Sequence, residues 1–354
     1  MKSVGLIIVL SILTASISAC SQVVQPTQNP QYATRTVPEK ATESPTEQPV
    51  PQSATSTAGQ VDTQAENTPT FPPSTLIESS QPAGEVSFQD KLALSDQVIF
   101  SLQSLPVLTS QVYQAWLTAE DGSVISAGIL TQQPDGSSSL TYTSPDGSSA
   151  LGKYTHFFIT QEDAMQSIPG VDVVVLGEIS PELHQTARVL FEINQGEPAT
   201  PRNKPFVQGM VEQYALALQH IDNAVNAQSI GASAETKQHL EHVVNILEGS
   251  QGERFKDYTG DETAQNPGDG FGVVLYIRQV ASSLKDPAIE TSAAELIDAI
   301  TGLETRAIAI LEDQNGASDL PDLKLQAIEL GNDLLKKFYL LIQQAFIIKL
   351  TPAP

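Results

Sequence analysis

The chain has 354 residues, a single cysteine and a formal net charge of -23, with 18 Lys and Arg against 41 Asp and Glu. That charge repels phosphate backbones and anionic membrane surfaces, which excludes nucleic acid as a partner. One cysteine excludes an internal disulfide and Cys-based zinc or c-type haem sites, so stability has to come from core burial or from metals held by oxygen and imidazole.

In chain order, Lys2 supplies a positive start and Val4 to Ile17 form an apolar run without charge. At about 14 residues against the ~20 that a bilayer needs, this run reads as a secretory signal rather than a spanning helix. It ends in Ile17-Ser18-Ala19-Cys20, which resembles the lipobox of bacterial lipoproteins. The resemblance implies that residues 1–19 are a signal peptide cleaved before Cys20, and that the Cys20 sulfur carries a diacylglycerol. At roughly 0.8 kcal/mol per buried methylene, one acyl chain binds reversibly and two anchor stably. The expected location is then the outer face of the cell membrane, held by the N-terminal lipid, with no thiol left over as a nucleophile.

Residues 20–84 are rich in Pro, Thr, Ser, Gln, Ala and Glu, as in Thr42-Glu-Ser-Pro-Thr-Glu-Gln-Pro-Val-Pro. Such a segment cannot bury enough apolar surface to offset its ordering entropy, which predicts a disordered tether. As a coil it spans roughly 45 Å, from ~5–6 Å times the square root of its length. Its hydroxyl-rich composition also suits O-glycans.

From residue 85 the pattern changes to short alternating runs. Val98–Leu102, Val112–Leu117, Val124–Leu130, Ser139–Thr143, Tyr154–Thr160 and Val171–Leu176 read as strands, with Asp121-Gly122, Asp135-Gly136, Asp146-Gly147 and Pro169-Gly170 as turns between them. Six or seven short strands with no helical period between them predict an all-β antiparallel sandwich or barrel over 85–179.

The same residues carry a second resemblance. Leu105-Pro106 leading into Val112-Tyr113-Gln114-Ala115-Trp116-Leu117, then Gly122, Ser126-Ala127-Gly128, Phe158-Ile-Thr-Gln-Glu162 and Val174-Val-Leu-Gly177, look like the extracytoplasmic C-terminal domain of anti-sigma-K factors. In that family the domain is implied to be a sensory or interaction module outside the membrane, without catalytic residues. The expected departure from the family is a lipid anchor and tether where a sigma-binding domain and a spanning helix would precede the outer domain. Tyr113 and Trp116 are expected to alternate into the core, and Glu162 to be a solvated strand end.

Beyond Gly177 the period switches to about 3.6. Ser180-Pro181 reads as an N-cap followed by Pro at the first helical position. Amphipathic runs follow over 181–191, 206–227, 233–247, 271–284, 288–311 and 320–350. Together they predict an all-α helical bundle over 180–354. The terminal Phe346-Ile-Ile-Lys-Leu350, too short to span a membrane, reads as the end of a central bundle helix.

Two constellations invite chemistry. His239 and His242 are three apart on one helix and hence share a face, with His220 on the preceding helix as their candidate partner. Neutral imidazoles with carboxylates suit Zn, Fe or Mn. Neither the Glu-x-x-His pairs of di-iron bundles nor a His-Glu-x-x-His helix is present, and the alternative is a polar clamp on the following loop. In that loop Asp257, Thr259 and Asp261 fall at alternate positions like 1, 3 and 5 of a calcium loop, with Asp269 as a further acid. Glu262 stands where such a loop needs Gly, and Gly268 where it needs a bidentate acid.

No Ser-His-Asp arrangement or phosphate loop occurs, and Gly268-Asp-Gly-Phe-Gly272 lacks the strand before it and the lysine after it. The sequence therefore predicts a surface-anchored, non-enzymatic module that binds or senses an extracellular protein or small ligand and needs no cofactor. The rival is a metal-binding bundle, for uptake or metal-dependent catalysis, with His220, His239, His242 and Asp257 as its site. Calcium at the acidic loop, through Asp257, Asp261 and Asp269, is the remaining alternative.

Overall fold

The structure, a computed structural model, describes residues 81–89, 95–194, 199–313 and 319–354. The segment read as a signal peptide, Cys20 and nearly all of the expected tether lie outside the described residues.

Among the described residues, nine antiparallel strands form one sheet: β1 (Ala83–Gln89), β2 (Gln97–Gln103), β3 (Val112–Ala119), β4 (Val124–Ile129), β5 (Thr131–Gln132), β6 (Ser138–Thr143), β7 (Tyr154–Glu162), β8 (Val173–Glu178) and β9 (Ile348–Pro352). The spatial order is β4-β3-β7-β8-β9-β1-β2-β6-β5. Its two ends, β4 and β5, are separated in the chain by Leu130 alone, so the backbone turning that corner nearly closes the sheet into a barrel. Strand alternation supplies the interior: Val86 and Phe88, Val98, Phe100 and Leu102, Tyr113, Ala115 and Leu117, and Phe157 and Ile159 are all buried in one core cluster. Phe88 meets Phe157 edge-on across the barrel, ring centres 5.7 Å apart.

The turns follow the local chemistry read from the sequence. Gly122, Gly136 and Gly147 all have positive φ, which glycine adopts at no steric cost. Each follows an Asp whose side chain accepts from the backbone N–H two residues on: Ser123 at 2.9 Å, Ser137 at 3.0 Å and Ser148 at 3.0 Å. One Asp-Gly-Ser device is thus used three times.

One strand face differs from expectation. Tyr113 enters the barrel, but Trp116 is an odd number of residues away and so faces outward. It is nevertheless fully buried. Its indole stacks on Phe158 at 6.4 Å and donates to Thr160 Oγ1 at 2.8 Å. The Thr160 hydroxyl donates to Glu162 Oε1 at 2.6 Å, which also accepts from Gly170 N at 2.8 Å. Gln114 closes the patch by pairing with both backbone groups of Gln166 at 2.8 Å. Glu162 is therefore not a solvated strand end but the buried terminus of a relay, covered by the segment that carries Gly170. A side chain on Gly170 would come within 2.7 Å of the carboxylate.

A short helix, α1 (Ala150–Lys153), sits before β7. Among the described residues, seven α-helices follow β8: α2 (Pro181–Phe191), α3 (Phe206–Ser229), α4 (Ser233–Glu248), α5 (Val273–Leu284), α6 (Pro287–Glu312), α7 (Leu320–Leu330) and α8 (Lys336–Ala345), with a π turn at Gly331–Leu335 joining the last two. Ser180 caps α2, with Pro181 at its first position, and Asp286 caps α6 by accepting from the N–H groups of Ala288 and Ile289. The π turn lies where Gly331 passes Tyr214, whose ring would be 2.9 Å from an added Cβ. The Tyr214 hydroxyl donates to the carbonyl of Ala327 just before it.

The chain's end also differs from expectation. The helix read over 320–350 stops at Ala345, and Ile348–Pro352 is a strand rather than the end of a central helix. It alternates, with Ile348 and Leu350 buried and Lys349 exposed. It pairs with β1 through Val86↔Ile348 to Gly84↔Leu350 and with β8 through Val175↔Pro352 and Leu176↔Thr351. Gly177 permits the approach, because a Cβ there would come within 2.7 Å of the Lys349 carbonyl. Among the described residues, no helix is long and apolar enough to cross a membrane.

Candidate metal centre

Helices α3 and α4 form an antiparallel hairpin, closed by a turn in which Gly231 has φ +77. The hairpin brings His220 of α3 against His239 and His242 of α4. His220 Nδ1 lies 3.1 Å from His239 Nδ1 and 3.3 Å from His242 Nδ1. One ligand atom from each of the three rings falls within 4.8 Å of the others. His242 is buried, and the other two rings are partly covered.

The surroundings favour neutral imidazoles. Burial, reinforced by His242 and then His239, pushes the His220 pKa down to about 3. Burial also lowers the His239 pKa, with His242 adding to the effect and Glu235 opposing it. Desolvation disfavours the imidazolium, and like charges on neighbouring rings do the same. A neutral imidazole keeps one N–H and offers one lone pair to a partner.

Around the rings, α4 grips the following loop. The buried Glu241 carboxylate accepts three backbone N–H groups, from Tyr258 at 2.8 Å, Thr259 at 2.9 Å and Gln265 at 2.9 Å. Asn245, fully buried, donates to the carbonyls of Lys256 and Gln265 and accepts from Lys256 N. The polar clamp expected of the histidines is thus supplied by Glu241 and Asn245. The base of the loop is pinched by Gly249, φ +79, where a Cβ would collide with the Phe271 carbonyl.

The loop acids do not join the histidines. Asp257 accepts from the backbone N–H groups of Gly260 at 2.6 Å and Glu262 at 2.8 Å. Asp269 accepts from Phe271 N at 2.9 Å and from the Tyr276 hydroxyl at 2.6 Å. Asp261 accepts from Thr263 N at 3.0 Å and from the Gln265 amide at 2.9 Å. Among the described residues, the only group of three or more His, Cys, Asp or Glu poised for a metal is the histidine triad.

Gln265 is the residue that sequence reasoning missed. Its Oε1 faces His242 Nε2 at 3.1 Å and also accepts from Gln238 at 3.2 Å, while its Nε2 donates to Asp261. A glutamine in a loop carries no spacing signal, so only the fold reveals it.

A second buried polar group lies on α6. Glu304 is fully buried and pairs with Arg254 at 3.3 Å. Arg254 also donates to the Thr301 carbonyl at 2.9 Å. Burial, with the charge of Glu248 adding to it and Arg254 opposing it, pushes the Glu304 pKa up to about 8.

Residues 6–170 match the family model described as anti-sigma-K factor rskA, C-terminal. The match takes in β1 to β7 and stops before β8, so α2 to α8 and the histidine triad lie outside it. It covers less than half of the chain. No curated protein and no solved structure matches. What the comparison supports for the barrel strands is an anti-sigma-factor-like module.

Proposed function

We propose that this protein is a lipid-anchored extracytoplasmic module that binds or senses a ligand without catalysing a reaction. The observation that carries the reading is the match to the anti-sigma-K C-terminal family model, which begins at residue 6 and runs through to residue 170. The lipobox-like Ile17-Ser18-Ala19-Cys20 supports attachment at the outer face of the membrane through Cys20. The charge of -23 turns the folded part away from anionic lipid and nucleic acid, so contact with the membrane runs through the lipid. The partner is then an extracellular protein or a small ligand.

Metabolic labelling with a fatty-acid analogue tests the anchoring. The full chain is expected to take up the label and to fractionate with membranes, whereas Cys20→Ser takes up none and is released. Label retained by Cys20→Ser would overturn the reading.

A further inference from the structure

Each of the three imidazoles of the α3–α4 hairpin offers a ring nitrogen within 4.8 Å of the other two. We propose that His220, His239 and His242 bind one divalent zinc-class ion through their ring nitrogens, with Gln265 fixing the tautomer of His242 and a fourth position left for water or a ligand.

The first argument is distance. At a Zn–N length of about 2.0–2.1 Å, the edge of a coordination tetrahedron is about 3.3–3.4 Å. The two Nδ1 pairs that share His220 stand at 3.1 and 3.3 Å, close to that edge before any ion is considered. The third pair, within 4.8 Å, closes with a small turn of one ring.

The second argument is a hydrogen-bond count. Asp261 has only acceptor oxygens when ionised, so the Gln265 atom facing it is the amide nitrogen. The Gln265 oxygen therefore faces His242 Nε2, which must be the N–H. In a neutral His242 ring, which has one N–H, Nδ1 then carries a bare lone pair facing His220 Nδ1 at 3.3 Å. If His220 Nδ1 donates to it, that hydrogen is not available for a second straight bond to His239. If His239 donates to His220 instead, two bare lone pairs face each other at 3.3 Å. Neutral rings satisfy one of the two contacts and never both, whereas a cation at the point of convergence satisfies all three lone pairs.

The third argument is the outer layer. A ligating histidine ordinarily donates its other N–H to a fixed acceptor that sets its orientation. Gln265, tied to Asp261 and held through its own backbone N–H by Glu241, is such an acceptor. Three neutral nitrogens and no thiolate suit zinc and its neighbours rather than calcium.

The test uses the full chain, solubilised in detergent, stripped with chelator and re-equilibrated with zinc chloride, with cobalt(II) as a spectroscopic stand-in. The expected result is one equivalent per chain by elemental analysis, together with visible absorption of four-coordinate cobalt. His239→Ala, at a partly exposed position, is expected to abolish both while leaving the circular dichroism spectrum unchanged. Gln265→Ala, which keeps all three ligands, is expected to weaken affinity about 10- to 100-fold. Less than a tenth of an equivalent in the native chain, or stoichiometric metal that survives His239→Ala, would overturn the site. Affinity unchanged in Gln265→Ala would overturn the role given to Gln265.

Discussion

A chain ending at Ala345 is expected to lose its cooperative thermal transition, although every helix is still present. The missing residues include Phe346, Ile348 and Leu350, all buried. Phe346 packs edge-on against Phe191 of α2, ring centres 5.6 Å apart. At about 1.5–3 kcal/mol per buried side chain, their loss removes roughly 5–9 kcal/mol, comparable with the ~5–15 kcal/mol total stability of an ordinary domain. Removing β9 also unpairs the facing edges of β1 and β8, leaving backbone donors and acceptors without partners on both. Phe346→Ala isolates one part of the effect and is expected to cost about 3–5 kcal/mol. Thermal melting followed by circular dichroism checks both. A truncated chain that melts within about 2–4 °C of the full chain, the shift expected for ~1 kcal/mol, would contradict the closing role of β9.

Glu304 should contribute a falling part to the stability as pH rises through neutrality, separable from the opposite contribution of His220 and His239. Its pKa is raised from an ordinary 4.5 to about 8 in the folded chain. Below 4.5 both states hold the proton, and the group's contribution is fully present. Above 4.5 the unfolded chain ionises first, and stability drains by about 1.4 kcal/mol per pH unit until the folded state also ionises near pH 8. Between pH 5 and 7.5 this comes to roughly 3 kcal/mol. Glu304→Gln keeps the shape and the acceptor for Arg254 but removes the titration. Its stability is expected to equal that of the native chain near pH 4.5 and to exceed it increasingly toward pH 7.5. Urea unfolding of both proteins across this range is the measurement, and parallel curves would refute the assignment.

Much of this fold is legible in the sequence because its signals are local. The Asp-Gly turns, the alternating strands and the capped, amphipathic helices each declare themselves within about ten residues. β9 is hidden because Phe346-Ile-Ile-Lys-Leu350 continues the apolar spacing of the helix before it, and only pairing with β1 and β8, more than 150 residues away in the chain, makes it a strand. Trp116 is misjudged for a related reason. A buried aromatic in a strand is expected to face the interior, but here the outer face is covered as well, by the segment around Gly170. Within the site, the His239/His242 spacing and the neighbouring helix pointed to His220. Asp257, Asp261 and Asp269 have the composition of a cation loop, yet their oxygens are taken by backbone N–H groups and by neighbouring side chains. Gln265 acts through where the loop places it, which no spacing rule conveys.

The central claim, that this is a lipid-anchored extracytoplasmic module, meets its most direct test at residue 20. Intact-mass spectrometry of the protein purified from membranes of its own cells reads the mature N-terminus and any modification together. The expected product begins at Cys20 and carries the mass of a diacylglyceryl group or more. A product that retains residues 1–19, or one cleaved elsewhere with Cys20 unmodified, would contradict it.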